Sequence, residues 1–562
     1  METRLKEDDK KHQKIESLNI IKETQSICPE CKQVIPATIY EEGGRVFFHK
    51  MCPEHGEYND LYWGDYELYK KVEKYAHDGV LLDNPRTRMD KGCPRDCGIC
   101  PNHKSTTTLG IIDITNRCNL RCPICFAHAG AAGYLYEPSL KQIREMMENL
   151  MANSPVWTPA LQLSGGEPTV RGDLPEILEM AHEIGFVHVE VDSNGIRMSE
   201  SVDYCRELVK AGMDTVYLQF DGVTPKPYIV ARGFNLFPIK RRVIENLRSI
   251  NYDAAVLVPV LMRGVNDDQV GDIIRFAIEN RDVVRGVNFQ PVAITGRTDK
   301  GVREKRRITI SDIIRLTDEQ TDGFIKPSDW FPVPSIKPLS DFMSMVKNSN
   351  FVDFSTHPHC GMGTYLYFEG DEIRPLTSYV DVEKTLTAIE KANEKMRQGK
   401  ELRAKIEIAK SFIKNIKFGS LARYLTDVIR YSNYRSLNDI HHSMVLIGCM
   451  HFMDPYNFDL DRVQRCVIHY AVPDGRIIPF CSMNNIHRET VEKMYAQPLS
   501  ANKVTPIYDV AALVNRISME SQHTDARNRS TSGDGSKITS HVDSHSEANE
   551  PMHRKPNVTK GE

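Results

Sequence analysis

The sequence has no run of about 18 apolar residues, so nothing in it reads as a membrane-spanning helix. Charge of one sign is not in excess either: 72 Lys and Arg stand against 76 Asp and Glu, a formal net charge of −4. That balance lacks the basic surplus that nucleic-acid binding needs, and no nucleic-acid partner is expected. The opening Met-Glu-Thr-Arg-Leu-Lys-Glu-Asp-Asp-Lys is too charged to read as a signal peptide. No internal repeat is visible. At 562 residues the chain exceeds what one core holds, so two or three domains are expected.

Cysteine, by contrast, is plentiful, with 14 in the chain. Clustered cysteines in a chain of this size point to metal ligands in a reducing, cytoplasmic compartment rather than to disulfides. The groups are Cys28, Cys31 and Cys52; Cys93, Cys97 and Cys100; Cys118, Cys122 and Cys125; and Cys360, Cys449, Cys466 and Cys481. Cys205 stands alone inside a helical pattern and reads as packing.

Residues 1–25 read as a flexible segment and 26–75 as a rubredoxin- or zinc-knuckle-like domain. In the latter, Glu41-Glu42-Gly43-Gly44 marks a hairpin turn between Thr38–Tyr40 and Val46–Phe48. Residues 76–107 carry the second cysteine group. Over 108–300, β-rich runs alternate with amphipathic helical patterns. Strands are expected at Leu109–Ile114, Ala160–Leu163, Val187–Val191, Thr215–Phe220, Ala254–Val260 and Gly286–Gln290. Helices are expected at 139–151, 174–184, 199–211, 239–250 and 267–280. This is an α/β pattern of parallel βαβ units, and six strands make a partial (β/α)6 TIM-like barrel. A Pro-rich connector over 301–345, a C-terminal cysteine-bearing domain over 346–520 and a disordered polar tail over 521–562 complete the chain.

Cys118-Asn119-Leu120-Arg121-Cys122-Pro123-Ile124-Cys125 directly follows the first barrel strand. Three thiolates at C-x3-C-x2-C spacing can hold three irons of a 4Fe–4S cluster and leave the fourth open. Ser164-Gly165-Gly166-Glu167-Pro168 follows the second strand. Together these motifs resemble the radical S-adenosylmethionine superfamily over residues 109 to about 300. The resemblance implies that Cys118, Cys122 and Cys125 hold the catalytic cluster and that Gly165, Gly166 and Glu167 line S-adenosylmethionine. It likewise implies cofactor contacts from Ser193 and Asn194 at the end of the third strand, while Gln219 and Asp221 face the active-site mouth. The residue before the last cysteine is usually aromatic in that family; here it is Ile124.

Cys93, Cys97 and Cys100 repeat the same spacing without a preceding strand. They read as an auxiliary 4Fe–4S cluster, with His103 or an exogenous group as fourth ligand; a zinc site or a second radical centre is the alternative. Cys360, Cys449, Cys466 and Cys481 read as a further 4Fe–4S site, or as inert buried thiols. Cys28, Cys31, Cys52 and His55 suit one tetrahedral zinc or mononuclear iron.

The whole arrangement, with Asp329-Trp330-Phe331-Pro332-Val333-Pro334 and His359-Cys360-Gly361, resembles the archaeal tetraether lipid synthases over residues 26 to about 500. That likeness implies sp3 carbon–carbon coupling of isoprenoid chain ends of archaeol-type phospholipids, driven by 5′-deoxyadenosyl radicals. It implies three 4Fe–4S clusters, a ferredoxin-like low-potential electron donor and peripheral contact with the inner face of the cell membrane. Drawing a twenty-carbon chain into water would cost about 16 kcal/mol, at about 0.8 per carbon. A long apolar tunnel, lined partly by residues 329–345 and the C-terminal region, is therefore expected. Over Lys405–Arg430, Ile408, Phe412, Ile413 and Ile416 alternate with Lys405, Lys410, Lys414, Lys417 and Arg423. Such a helix either lies on anionic lipid or packs on its own domain. The alternative activity is a radical methyltransferase acting on a pterin-like small molecule, which predicts a compact polar pocket and S-adenosylhomocysteine as product.

Overall fold

The computed structural model describes residues 19–350, 352–370, 372–415, 443–498, 505–517 and 519–520. One compact unit runs through Tyr508; a second begins at Asp509, and residues 510–517 within it are helical. The expected tail over 521–562 lies outside the described residues.

The chain starts with an antiparallel four-stranded sheet: β1 (Asn19–Ile27), β2 (Val34–Glu42), β3 (Arg45–Cys52) and β4 (Gly56–Trp63), in that order. β1 begins inside the stretch expected to be flexible; its residues alternate in burial as half-covered strand residues do. Gly43 and Gly44, both at positive φ, make the turn between β2 and β3.

Six parallel strands follow: β5 (Leu109–Thr115), β6 (Ala160–Gly165), β7 (His188–Ser193), β8 (Thr215–Gln219), β9 (Ala255–Val258) and, after the two-residue β10 (Val260–Leu261), β11 (Val284–Pro291). Helices between them cover the outer face. Helix Leu140–Met151 begins in a capping box, Ser139 with Gln142, and buries Ile143, Met146, Met147 and Leu150 at helical spacing. The connector expected over 301–345 contains helices Ile310–Gln320 and Lys337–Lys347 and the short strand β12 (Phe331–Pro332).

Beyond it come β13 (Gly361–Glu369), β14 (Glu372–Pro375), β15 (Met444–Met450), β16 (Ile468–Ala471) and β17 (Ile477–Pro479). β15 pairs in parallel with β11, and β16 pairs in parallel with β5. The region expected as a separate C-terminal domain thus adds a strand to each edge of the barrel sheet. The order is β12-β13-β15-β11-β9-β8-β7-β6-β5-β16-β17.

The two faces of this sheet differ in chemistry. Leu161, Leu163, Val189, Val191, Val216, Leu218, Leu257 and Phe289 join the helices in one apolar core. Alternation then sends Gln162, Ser164, Glu190, Asp192, Tyr217, Gln219, Asn288 and Gln290 to the inner face. Tyr217 on β8 accepts hydrogen bonds from Asn288 Nδ2 (2.5 Å) and Gln290 Nε2 (3.2 Å) on β11, across the intervening β9. That contact across β9 fits a curved, partial-barrel sheet, whose inner wall carries these polar side chains on β6, β7, β8 and β11 beside the apolar Ile111, Val256 and Val258.

A buried ion-pair network joins the parts. Arg307 donates to Asp454 (Nη1–Oδ2, 2.6 Å) and to Asp60 on β4 (Nη2–Oδ1, 3.2 Å). Replacing Asp454 by Ala strands a buried guanidinium and is expected to cost about 3–5 kcal/mol, measured as a lowered thermal midpoint.

Candidate active site and metal centres

Backbone bonds from every side hold the loop after β5. Gly166 N–H donates to Thr115 O (2.7 Å) and Glu167 N–H to Arg117 O (2.9 Å). Ile124 N–H donates to Ala231 O (3.1 Å), and Arg297 N–H to Cys125 O (2.9 Å). A Cβ on Gly165 would lie 2.1 Å from Thr115 O, and one on Gly166 would lie 2.1 Å from Arg117 O. These glycines therefore let the end of β6 press against the cysteine loop. Ile124 packs with Ala231, Met262, Val265, Val292, Ile294 and Tyr456.

Burial pushes the Cys118 and Cys122 thiols up, and the neighbouring cysteines add to this. The three cysteines sit on one loop close enough for their charges to act on Cys118 and Cys122. A 4Fe–4S cube would give each thiolate its own iron.

Glu167 is buried, with its carboxylate taken up inside the protein. Thr169 N–H (3.2 Å), Thr169 Oγ1 (2.6 Å) and Ser193 Oγ (2.8 Å) donate to Oε1, and Asn194 N–H (2.8 Å) donates to Oε2. Burial raises its carboxyl against these donors. Asn194 Nδ2 in turn donates to Asn119 Oδ1 inside the cysteine loop (2.8 Å). Glu167, Ser193 and Asn194 thus bind three loops together.

Asp221 does not stand free at the mouth. Arg232 grips it through Nε–Oδ2 and Nη2–Oδ1, both 2.8 Å, and Gln219 Nε2 donates to its Oδ2 (2.6 Å). Arg232 Nη1 also donates to Ile124 O (3.1 Å), so the pair anchors the cysteine loop to the end of β8. Sequence reasoning missed Arg232, whose helix Pro225–Arg232 carries no motif. It missed Lys240 as well, which is fully buried and donates to Asn194 O (2.5 Å); burial lowers its amine to about 7.

At the N-terminal site, Cys28 and Cys31 lie at the β1–β2 turn, Cys52 ends β3 and His55 sits in the next turn. Their four ligand atoms lie within 4.8 Å of one another. Cys31 and Cys52 sulfurs are 3.9 Å apart, and His55 Nδ1 is 3.7 Å from Cys28 Sγ and 3.5 Å from Cys52 Sγ. A tetrahedron with 2.3 Å metal–sulfur bonds has edges of about 3.8 Å, so the donors fit one ion. Burial raises the Cys28 thiol, but the Cys31 and Glu30 backbone N–H groups prevail and hold it at about 7.

Cys93 and Cys97 are linked, the Cys97 thiol also donating to Ser482 Oγ (3.3 Å), and Cys100 feels the charge of Cys93. His103 Nε2 faces Cys466 O (2.8 Å) and His469 Nε2 (3.1 Å), which takes that nitrogen away from a ligand role. Among the C-terminal four, burial raises the Cys466 and Cys481 thiols, with the charge of Cys360 adding to both and that of Cys466 to Cys481, and Arg462 Nε donates to Cys360 Sγ (3.4 Å). Cys449 is separate: it lies in the main core with its thiol toward Met362 O (3.5 Å). Cys205, also in that core, donates to Met198 O (3.3 Å).

The expected membrane helix proves to be packed. In helix Glu401–Asn415, Ala404 and Ile408 are buried against Phe342, Ile389 and Ala392, and Lys405 pairs with Glu401 (2.6 Å). Ile416, Lys417 and Arg423 lie outside the described residues. No helix among the described residues is long and apolar enough to cross a membrane.

A family model described as the radical SAM superfamily matches residues 112–277, and one described as the HMPTM N-terminal zinc ribbon domain matches residues 20–64. The chain is 50% identical over 490 residues to the 7,8-dihydro-6-hydroxymethylpterin dimethyltransferase of Methanocaldococcus jannaschii, covering 85% of this chain and 96% of that one. It is 26% identical over 233 residues to the GTP 3′,8-cyclase of Peptoclostridium acidaminophilum, covering 40% of this chain and 68% of that enzyme. Streptococcus suis SuiB bound to S-adenosylmethionine superposes over 39% of this chain and 48% of its own, with a TM-score of 0.30 and 18% identity. The first of these likenesses overturns the expectation of lipid coupling, an archaeol-type substrate and membrane contact, because that full-length relative is named for a pterin.

Two outcomes follow from the geometry. Arg232→Met should loosen the cysteine loop and lower reconstituted iron, read by iron analysis and visible absorbance, while the N-terminal metal is kept. Protons compete with metal for thiolates, so release of the N-terminal ion to a chelator should accelerate as pH is lowered, followed by a colorimetric metal indicator.

Proposed function

The chain belongs to the radical SAM superfamily, in the family of the Methanocaldococcus jannaschii pterin dimethyltransferase, and we propose that it too methylates a reduced hydroxymethylpterin. The likeness along nearly the whole of that relative carries this reading. It is supported by the polar side chains of β6, β7, β8 and β11 on the inner wall of the barrel, which suit a small hydrogen-bonding heterocycle.

Cys118, Cys122 and Cys125 would hold the catalytic 4Fe–4S cluster. When bound, that cluster supplies the electron that splits S-adenosylmethionine homolytically and opens chemistry at an unreactive carbon. The role of the chain is orientation. Glu167 fixes Ser193 and Asn194 beside the loop, and Arg232 with Asp221 fixes the loop's far side. Gly165, Gly166 and Gln219 complete the rim at which the cofactor would lie.

Two further clusters are proposed, one on Cys93, Cys97 and Cys100 and one on Cys360, Cys466 and Cys481, each with three protein thiolates. Phe126, Phe452, Phe480 and Tyr470 pack in this region, with Phe452 and Phe480 stacked at 4.0 Å, and would keep water away. The Cys28, Cys31, Cys52 and His55 donors suit zinc, in keeping with the ribbon.

Anaerobic incubation with 7,8-dihydro-6-hydroxymethylpterin, S-adenosylmethionine and dithionite, the S-adenosylmethionine serving both as radical source and as methyl donor, should give a pterin heavier by one or two methyl groups, one S-adenosylhomocysteine for each methyl, and 5′-deoxyadenosine with methionine, by mass spectrometry. Cys122→Ala should abolish both products, and an unmethylated pterin after full cofactor turnover would refute the assignment. Metal analysis should find about twelve irons and one zinc per chain.

A further inference from the structure

The inner face of the barrel holds a strip of polar side chains that neither the cysteine loop nor the rim uses. Asp192 on β7 is the register neighbour of Tyr217 on β8, and the Tyr217 hydroxyl is bonded by Asn288 and Gln290 on β11. One row deeper, Glu190 is the register neighbour of Gln162 on β6. Gln162 is 7% exposed and makes no side-chain hydrogen bond among the described residues. Because Leu161 and Leu163 lie in the outer core, its amide is aimed into the barrel.

Part of this strip stays accessible. Asp192, Tyr217, Asn288 and Gln290 keep some accessible surface, yet burial, helped by the charge of Glu167, raises the Asp192 carboxyl to about 7, and burial lifts the Tyr217 phenol. The Asp192 carboxyl is held by one hydrogen bond, from Ser164 Oγ (3.0 Å), and its remaining lone pairs point to no donor among the described residues.

A pterin's pyrimidine ring sets an N3–H beside a 2-amino group, two parallel donors that match a carboxylate, while O4 and the ring nitrogens accept from amides. We propose that Asp192 takes the N3–H and 2-amino edge of the pterin, and that Gln162, Asn288 and Gln290, set by the Tyr217 hydroxyl, complete its recognition inside the barrel. This deepens the pterin reading above and rests on it. The catalytic loop would then stand at the open end of the strands, with the pterin beneath it, as barrel enzymes place chemistry at strand C-termini.

The test is anaerobic calorimetric titration of reconstituted wild-type protein, Asp192→Asn and Tyr217→Phe, each with 7,8-dihydro-6-hydroxymethylpterin and, separately, with S-adenosylmethionine. The expected result is a pterin Kd raised about tenfold to a hundredfold in Asp192→Asn, a smaller rise in Tyr217→Phe, and an unmoved S-adenosylmethionine Kd. Tyr217→Phe keeps the ring and carries the test if Asp192→Asn fails to load iron. An unchanged pterin Kd in the loaded variants overturns the proposal, as does a change confined to S-adenosylmethionine. Wild-type protein that binds S-adenosylmethionine but no pterin overturns the functional reading itself, and this inference with it.

Discussion

A loop that carries three metal-binding thiols at the end of a strand must be held in place by groups other than the metal they serve. In this chain the constraint is met by a bonded frame rather than by packing alone. Glu167, Asn194 and Asn119 run in series from the end of β6, through the end of β7, into the cysteine loop. Asp221 and Arg232 close the frame from the end of β8. Each link is a buried polar group with its partner present, which makes the frame rigid; removing one partner leaves an unsatisfied group in a dry place. The shape of the inner wall, and where any substrate can rest relative to the loop, depends on this frame.

Much of the barrel was legible because period and spacing carry it. The six expected strands and five helices fall where apolar runs alternate with amphipathic ones, with ends displaced by a few residues at most. The C-terminal contribution was not legible. β15 and β16 are short strands with no βαβ rhythm around them, and their pairing with β11 and β5 is a tertiary fact that no local pattern announces. The connector looked irregular for its prolines, yet Pro338 sits in the first turn of helix Lys337–Lys347, where a missing N–H costs nothing.

At the site, spacing identified the cysteine motifs but not the direction of the side chains. Gly165 and Gly166 read as cofactor-facing from the motif alone; their second service, the contact between β6 and the cysteine loop that their lack of a side chain allows, has no sequence signal. Cys449 counted as a ligand by proximity in composition; its strand position puts its thiol in the core. The functional reading went astray for a related reason. Cysteine spacing reports which metals a chain can hold and nothing about the polarity of the cavity beside them, which is set by alternate residues on β6, β7, β8 and β11.

The parallel partner of Leu109 is Ile468, and that of Gly286 is Leu446. During synthesis, β5 and β11 are therefore long exposed as raw edges before their neighbours leave the ribosome. Unpaired edges recruit other chains, so the nascent protein has reason to stay with a chaperone until β16 has emerged. Cys360, Cys466 and Cys481 come together only at that stage, so any metal they hold would be taken up after the first half of the chain has folded.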